Sequence, residues 1–343
     1  MRRFEHGGNI YEHPHCVDFS ANLNPLGMPD VARAVLRQSV DAFANYPDPS
    51  CRDLVSSICT FEGVFPAQVI PCAGASDAFA RICQVLRPAK ALVCAPGYSG
   101  YEQSLEQVGA QAAYHLLDEC HGFAVGYDFA EAIDSSIDVV FLANPNNPTG
   151  LGVSRKVLLA CLDAARAAHA TVVLDECFID LTLHQGSNDL LAIYPNLVIA
   201  KALTKTFALA GLRVGYALCG DIELATRLRN AGQPWAVSVP AQLAGVACLS
   251  ERGYLADSRS YIACEREVLA QALEAAGMVV VPGVANYLLF KAPRNLCDAF
   301  LEHGILVRSC DNYVGLDKCW HRIAVRTAEQ NALFIQALKE VAS

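Results

Sequence analysis

The 343-residue chain has no basic stripe and no lysine/arginine cluster, and its net charge is −9. Nucleic-acid recognition needs clustered cations, so it is excluded as the main activity. No apolar stretch reaches the ~20 residues of a membrane span. The opening Met1-Arg2-Arg3-Phe4-Glu5-His6 turns polar at once, so no secretory signal is expected. Internal repeats and low-complexity segments are absent. So is any Cys-x-x-Cys, although there are 15 cysteines. Their odd number and scatter, with Cys94, Cys161 and Cys248 inside apolar segments, mark buried small residues in a reducing cytoplasm. His13, His15 and Cys16 are neighbours, but no second ligand pair follows at metal-site spacing. They read as a polar loop, and no metal is expected.

What is present is apolar material, 53% hydrophobic against 18% charged, enough for a sizeable core in two domains or one large one. From Leu54 to Gly220 helical and strand patterns alternate. Ala78–Leu86 and Arg155–His169 have helical periodicity. Val69-Ile70, Ala91–Cys94, Ala112–Tyr114, Asp138–Ala143, Thr171–Leu174 and Leu197–Ala200 read as strands. Such alternation predicts an α/β fold with a mainly parallel sheet covered by helices. Pro234 and Pro240 flank a loop, followed by a helical stretch from Ala241 to Gly277. The remainder reads strand, helix, strand, strand, helix. The expected organisation is an arm over residues 1–45, a large domain over 46–240 and a smaller α+β domain over 241–343, with the arm packed on the latter.

The chemistry centres on Lys205. It follows Thr204 and precedes Arg213 by eight positions, in a loop after the strand Leu197–Ala200. Open α/β sheets bind ligands at such strand ends. The amine can form a Schiff base with an aldehyde cofactor, and Thr204 and Arg213 can hold a phosphate. Pyridoxal 5′-phosphate needs both. Asp175 closes the strand beginning at Thr171, where a carboxylate could pair with a pyridine nitrogen. Asn147, in the rigid loop Asn144-Pro145-Asn146-Asn147-Pro148-Thr149-Gly150, could donate to a phenolic oxygen.

These segments, in this order, resemble the fold-type I pyridoxal-phosphate enzymes, in the branch holding histidinol-phosphate aminotransferase and threonine-phosphate decarboxylase. The resemblance covers essentially the whole chain. It implies a homodimer, Lys205 on the cofactor aldehyde, Asp175 on the ring nitrogen, Asn147 on the phenolic oxygen, and Thr204 and Arg213 on the phosphate. It also implies that Gly74-Ala75-Ser76 opens a helix toward that phosphate, which suits the field of a helix N-terminus. Tyr98 matches the ring stacked on the cofactor, and Tyr46 the tyrosine that reaches the neighbouring subunit's phosphate.

Four features resemble the decarboxylase more than the aminotransferase. They are His6-Gly7-Gly8-Asn9, the loop Asp18–Gly27 with Asn24, Phe178 where the aminotransferase has tyrosine, and Val325-Arg326-Thr327. Paired glycines can form an anion nest. Arg308, Arg322 and Arg326 suit a substrate with both carboxylate and phosphate. His6, Gly7, Gly8, Asn9, Asn24, Asn147 and the three arginines are therefore expected to bind substrate. The expected reaction is decarboxylation of L-threonine O-3-phosphate, which feeds the lower-ligand linker of cobalamin. The alternatives are histidinol-phosphate aminotransfer and decarboxylation of O-phosphoserine.

Overall fold

The computed structural model describes residues 6–342. The polar start at residues 1–5 lies outside them. A seven-stranded sheet forms the larger body. Its spatial order is Val69–Cys72, Gly215–Cys219, Leu197–Lys201, Thr171–Asp175, Val139–Ala143, Lys90–Ala95, Gln111–Leu116. Gly215–Cys219 runs antiparallel to both neighbours, and the pairings among the other strands are parallel. The sequence reading did not single out this strand.

Alternation along the strands separates two cores. Val140 and Leu142 point into one cluster, and Val139 and Phe141 into the other. Helices cover both faces, so the central strands read as continuous apolar runs. Helices Ala75–Leu86 and Arg155–Ala167 match the expected periodicity.

A second sheet is antiparallel, ordered Arg308–Ser309, Trp320–Ala324, Tyr287–Lys291, Val279–Val280. The arm joins this body. Val17–Asp18 pairs in parallel with Ile305–Leu306, and Phe19 enters the core built around Phe290, Phe300 and Phe334. The expected division at residue 240 cuts the helix Val239–Leu249. Ser238 caps that helix through its hydroxyl and Pro240 sits in its first turn, where proline is tolerated because its missing N–H has no helical partner. Ala241, Ala244 and Cys248 pack in the same core as the large sheet. Among the described residues no helix is long and apolar enough to cross a membrane, and no group of three metal-ligating side chains is assembled.

Candidate active site

The parallel strands deliver their ends to one cavity of about 420 Å³. It receives Asp175 and Phe178 from the strand Thr171–Asp175 and the turn after it. Thr204 and Lys205 come from the short helix Leu203–Thr206, and Asn147 from the proline-rich loop. Ala75 and Ser76 come from the start of the helix Ala75–Leu86, Tyr98 from the turn after the strand Lys90–Ala95, Arg308, Tyr313 and Arg322 from the smaller body, and His6 and Gly7 from the arm.

At one end lies an anion cradle. Gly74 precedes the helix Ala75–Leu86 with φ +88°, a backbone that residues with a Cβ rarely adopt. A Cβ there would also stand 2.9 Å from Arg213 Nη2. Glycine thus lets the guanidinium close over the helix start, whose first N–H groups have no helical acceptor. Thr204 is buried beside it.

Asp175 is buried at the floor. Tyr101 donates to its Oδ2 at 2.5 Å and the Cys177 amide to its Oδ1 at 3.0 Å. Burial raises its pKa, and these hydrogen bonds oppose the rise. Lys205 is held down to about 8 by burial, with Arg322 and Arg213 adding to the effect. A lysine so depressed has a sizeable neutral fraction near neutral pH and can act as a nucleophile.

The opposite end is cationic. Arg322 is buried, with Nη2 donating to the Ser20 carbonyl at 2.8 Å and Nη1 to the Asn147 side-chain oxygen and, at 3.2 Å, to the Tyr313 hydroxyl. Its Nε has no partner, and among the described residues no carboxylate lies within ion-pair distance of it. A buried guanidinium surrounded only by neutral acceptors is costly, and an incoming anion relieves it. Arg308 is also buried and donates to Asn312 Oδ1 at 2.6 Å. His6 packs 5.5 Å from the Tyr98 ring, and its pKa is lowered by burial and then by Arg308, Arg322 and Lys205.

Gly7 carries the arm past Ser20 so closely that a Cβ would lie 2.2 Å from the Ser20 oxygen. The Gly8 amide donates to Ser20 Oγ at 2.7 Å. This places Gly8 against the arm and away from the cavity. Four further expected residues stand elsewhere. Asn9 lines a shallower adjoining cleft with Glu12 and His13. Asn24 is buried and committed, donating to the Thr206 carbonyl at 2.9 Å and to Ser258 Oγ at 2.8 Å. Arg326 lies beyond the end of its strand, its backbone N–H bound by Asn331 Oδ1 at 3.1 Å. Tyr46 is exposed, stacks on Trp235 at 4.5 Å and is not among the residues of this chain that line the cavity.

Among the lining residues that sequence reasoning left out are Ser20, Asn22, Cys177 and Tyr313. Asn22 is the better candidate from its loop, because its Oδ1 is buried without a partner.

The profile of the family described as aminotransferase class I and II matches residues 14–338. The chain belongs to that family. It is 34% identical to a threonine-phosphate decarboxylase of Salmonella typhimurium, over 98% of this chain and 96% of that one. It is 29% identical to an adenosylcobalamin biosynthesis bifunctional protein of Leptospira interrogans, over 98% of this chain and 41% of that protein. Among solved structures, a histidinol-phosphate aminotransferase from Clostridium acetobutylicum superposes with a TM-score of 0.88 at 28% identity, over 94% of this chain and 98% of that one. The class I and II fold is thus fold-type I, with the mixed sheet and helical layers described above.

Proposed function

We propose that this class I and II family member is a pyridoxal-phosphate-dependent decarboxylase that converts L-threonine O-3-phosphate to (R)-1-amino-2-propanol O-2-phosphate and carbon dioxide. The observation that carries it is the pair of buried arginines, Arg308 and Arg322, facing the cavity across from Lys205, in addition to the Arg213 cradle. Together these make room for a cofactor phosphate and for a substrate with two anionic groups. The 34% identity to the Salmonella decarboxylase supports the same reading, and the likeness to the Leptospira protein supports a place in cobalamin synthesis.

The residues fit the cofactor. Gly74, Ala75, Ser76, Thr204 and Arg213 would hold its phosphate, Asp175 its ring nitrogen, Asn147 its phenolic oxygen and Lys205 its aldehyde, with Tyr98 against the ring. When bound, the cofactor supplies an aldehyde that condenses with amines and a ring that accepts the electron pair left by a breaking bond at Cα. The chain does the rest. Asp175 holds a proton on the ring nitrogen through its own negative charge, fixed by Tyr101 and Cys177. Arg322 would hold the substrate carboxylate and Arg308 the substrate phosphate. Phe178 and Phe79 wall the cavity and limit water. The Lys205 amine, whose pKa burial lowers to about 8, would be the group placed to return a proton to Cα.

The reading includes a homodimer in which Tyr46 reaches the neighbouring subunit's cofactor phosphate, and a cytoplasmic setting. The exposed Tyr46–Trp235 stack suits a covered surface. All 15 cysteines are free thiols, as a reducing compartment would leave them. Mass-spectrometric identification of aminopropanol phosphate, after incubating the holoenzyme with O-phosphothreonine and no keto acid, tests the activity. An active monomer in sedimentation would remove the Tyr46 assignment.

A further inference from the structure

Tyr313 joins three groups of the site. Its hydroxyl is 3.3 Å from Asn147 Oδ1 and 3.2 Å from Arg322 Nη1. Arg322 Nη1 also donates to Asn147 Oδ1, so the three side chains close a triangle of hydrogen bonds. Chemistry fixes the directions. A guanidinium only donates, so the Tyr313 oxygen accepts from Arg322 and its single proton is left for Asn147 Oδ1. The amide oxygen then has two donors, which holds the amide from turning. Its Nδ2 can only donate, and Asn147 lines the cavity. The Tyr313 ring is buried, and the Arg308 guanidinium lies 5.6 Å over it. One side chain therefore touches both arginines and the amide.

Phe178 sharpens the point. It lines the same cavity and meets Tyr287 edge-on at 5.0 Å, and it has no hydroxyl to offer. Polar control of that part of the site falls to Asn147, and the orientation of Asn147 falls to Tyr313 and Arg322.

We infer that Tyr313 is a positioning residue: its hydroxyl locks the Asn147 amide and the Arg322 guanidinium in one relative orientation, setting the donor on the cofactor's phenolic oxygen and the cation on the substrate carboxylate together. This rests on the cofactor and substrate proposed above. Without the hydroxyl, Asn147 Oδ1 keeps one donor, Arg322, and the amide is held less firmly. With the cofactor bound, a weaker donor would leave its phenolic oxygen more negative, and a proton beside that oxygen would be held more firmly. The pH at which the visible absorption band of the holoenzyme converts then moves up.

The test is a spectrophotometric pH titration of holoenzyme with four proteins: wild type, Tyr313→Phe, Asn147→Ala and the double variant. Phenylalanine keeps the ring beneath Arg308, so the melting curve of the single variant stays close to wild type. Its titration midpoint rises by roughly half a unit to one unit, the size expected of one hydrogen bond. Asn147→Ala raises the midpoint at least as far. The double variant matches Asn147→Ala, because Tyr313 acts through the amide. KM for O-phosphothreonine in Tyr313→Phe rises by about ten-fold, with a smaller fall in kcat. A midpoint unchanged by Tyr313→Phe but moved by Asn147→Ala overturns the inference and leaves the cofactor reading standing. Additive shifts, or a collapsed melting curve in Tyr313→Phe, overturn it too. Absence of the visible band in the wild-type protein overturns the proposed function, and this inference with it.

Discussion

The Arg322 Nη2 donates to the backbone carbonyl of Ser20 at 2.8 Å. This bond ties a strand of the smaller body to the arm that carries His6 and Gly7, so the cationic end of the cavity is assembled from segments about 300 positions apart. The guanidinium serves three acceptors in different directions, which an ammonium cannot reproduce.

Arg322→Ala should therefore lower kcat/KM for O-phosphothreonine by about ten-fold or more, the loss expected of one charge-assisted contact. Arg322→Lys should restore little of it. Steady-state kinetics alongside melting curves checks both, and wild-type specificity in Arg322→Lys would remove the planar fork from the account.

Asp175→Asn should keep the cofactor and lose most turnover. An amide has the same size but a single acceptor oxygen, so it keeps only one of the donors from Tyr101 and Cys177 as they stand, and it stabilises a ring-nitrogen proton far less. Cofactor content by absorbance and carbon dioxide release, measured on one preparation, separate the two effects. Near wild-type turnover would exclude Asp175 from the reaction.

A second buried cluster gives a stability prediction. Lys201 Nζ lies 3.0 Å from Asp180 Oδ1, 3.4 Å from Glu62 Oε1 and 3.8 Å from Glu176 Oε2. One lysine cannot neutralise three carboxylates, and burial pushes Glu176 from 4.5 up to about 7 even with Lys201 opposing the shift. The folded state therefore binds a proton at Glu176 that the unfolded chain has released. Its contribution to stability is complete below about pH 4.5 and is lost as pH rises through 7. Between pH 5.5 and 8, wild type should lose more melting temperature than Glu176→Gln, whose amide does not titrate. Parallel pH profiles for the two proteins would contradict this.

Much of the site was legible because strand ends are legible. Lys205, Asp175 and Asn147 each follow a run of apolar residues, and a parallel sheet brings such ends to one edge. The helix start at Gly74-Ala75-Ser76 was expected from the resemblance, and the residues alone indicated a helix only from Ala78. The arginines were harder. Arg326 was expected from the resemblance of Val325-Arg326-Thr327, and it shares the parity of Arg322. The strand stops at Ala324, so the parity no longer applies and Arg326 leaves the cavity. Asn24 and Asn22 share a loop without periodicity, and only their partners distinguish them: Asn24 is spent on Thr206 and Ser258, and Asn22 has a bare oxygen. Tyr313 belongs to an irregular loop, where sequence carries no directional information. The antiparallel strand Gly215–Cys219 was missed as a separate element because its apolar run looks like that of its parallel neighbours.

The most direct test of the whole account compares two reactions on one preparation of holoenzyme. O-phosphothreonine is supplied alone, and histidinol phosphate is supplied with 2-oxoglutarate, and carbon dioxide and glutamate are followed. The account predicts stoichiometric carbon dioxide and aminopropanol phosphate from the first mixture, with no keto acid required, and little glutamate from the second. Faster turnover of histidinol phosphate than of O-phosphothreonine would contradict it and make the chain an aminotransferase.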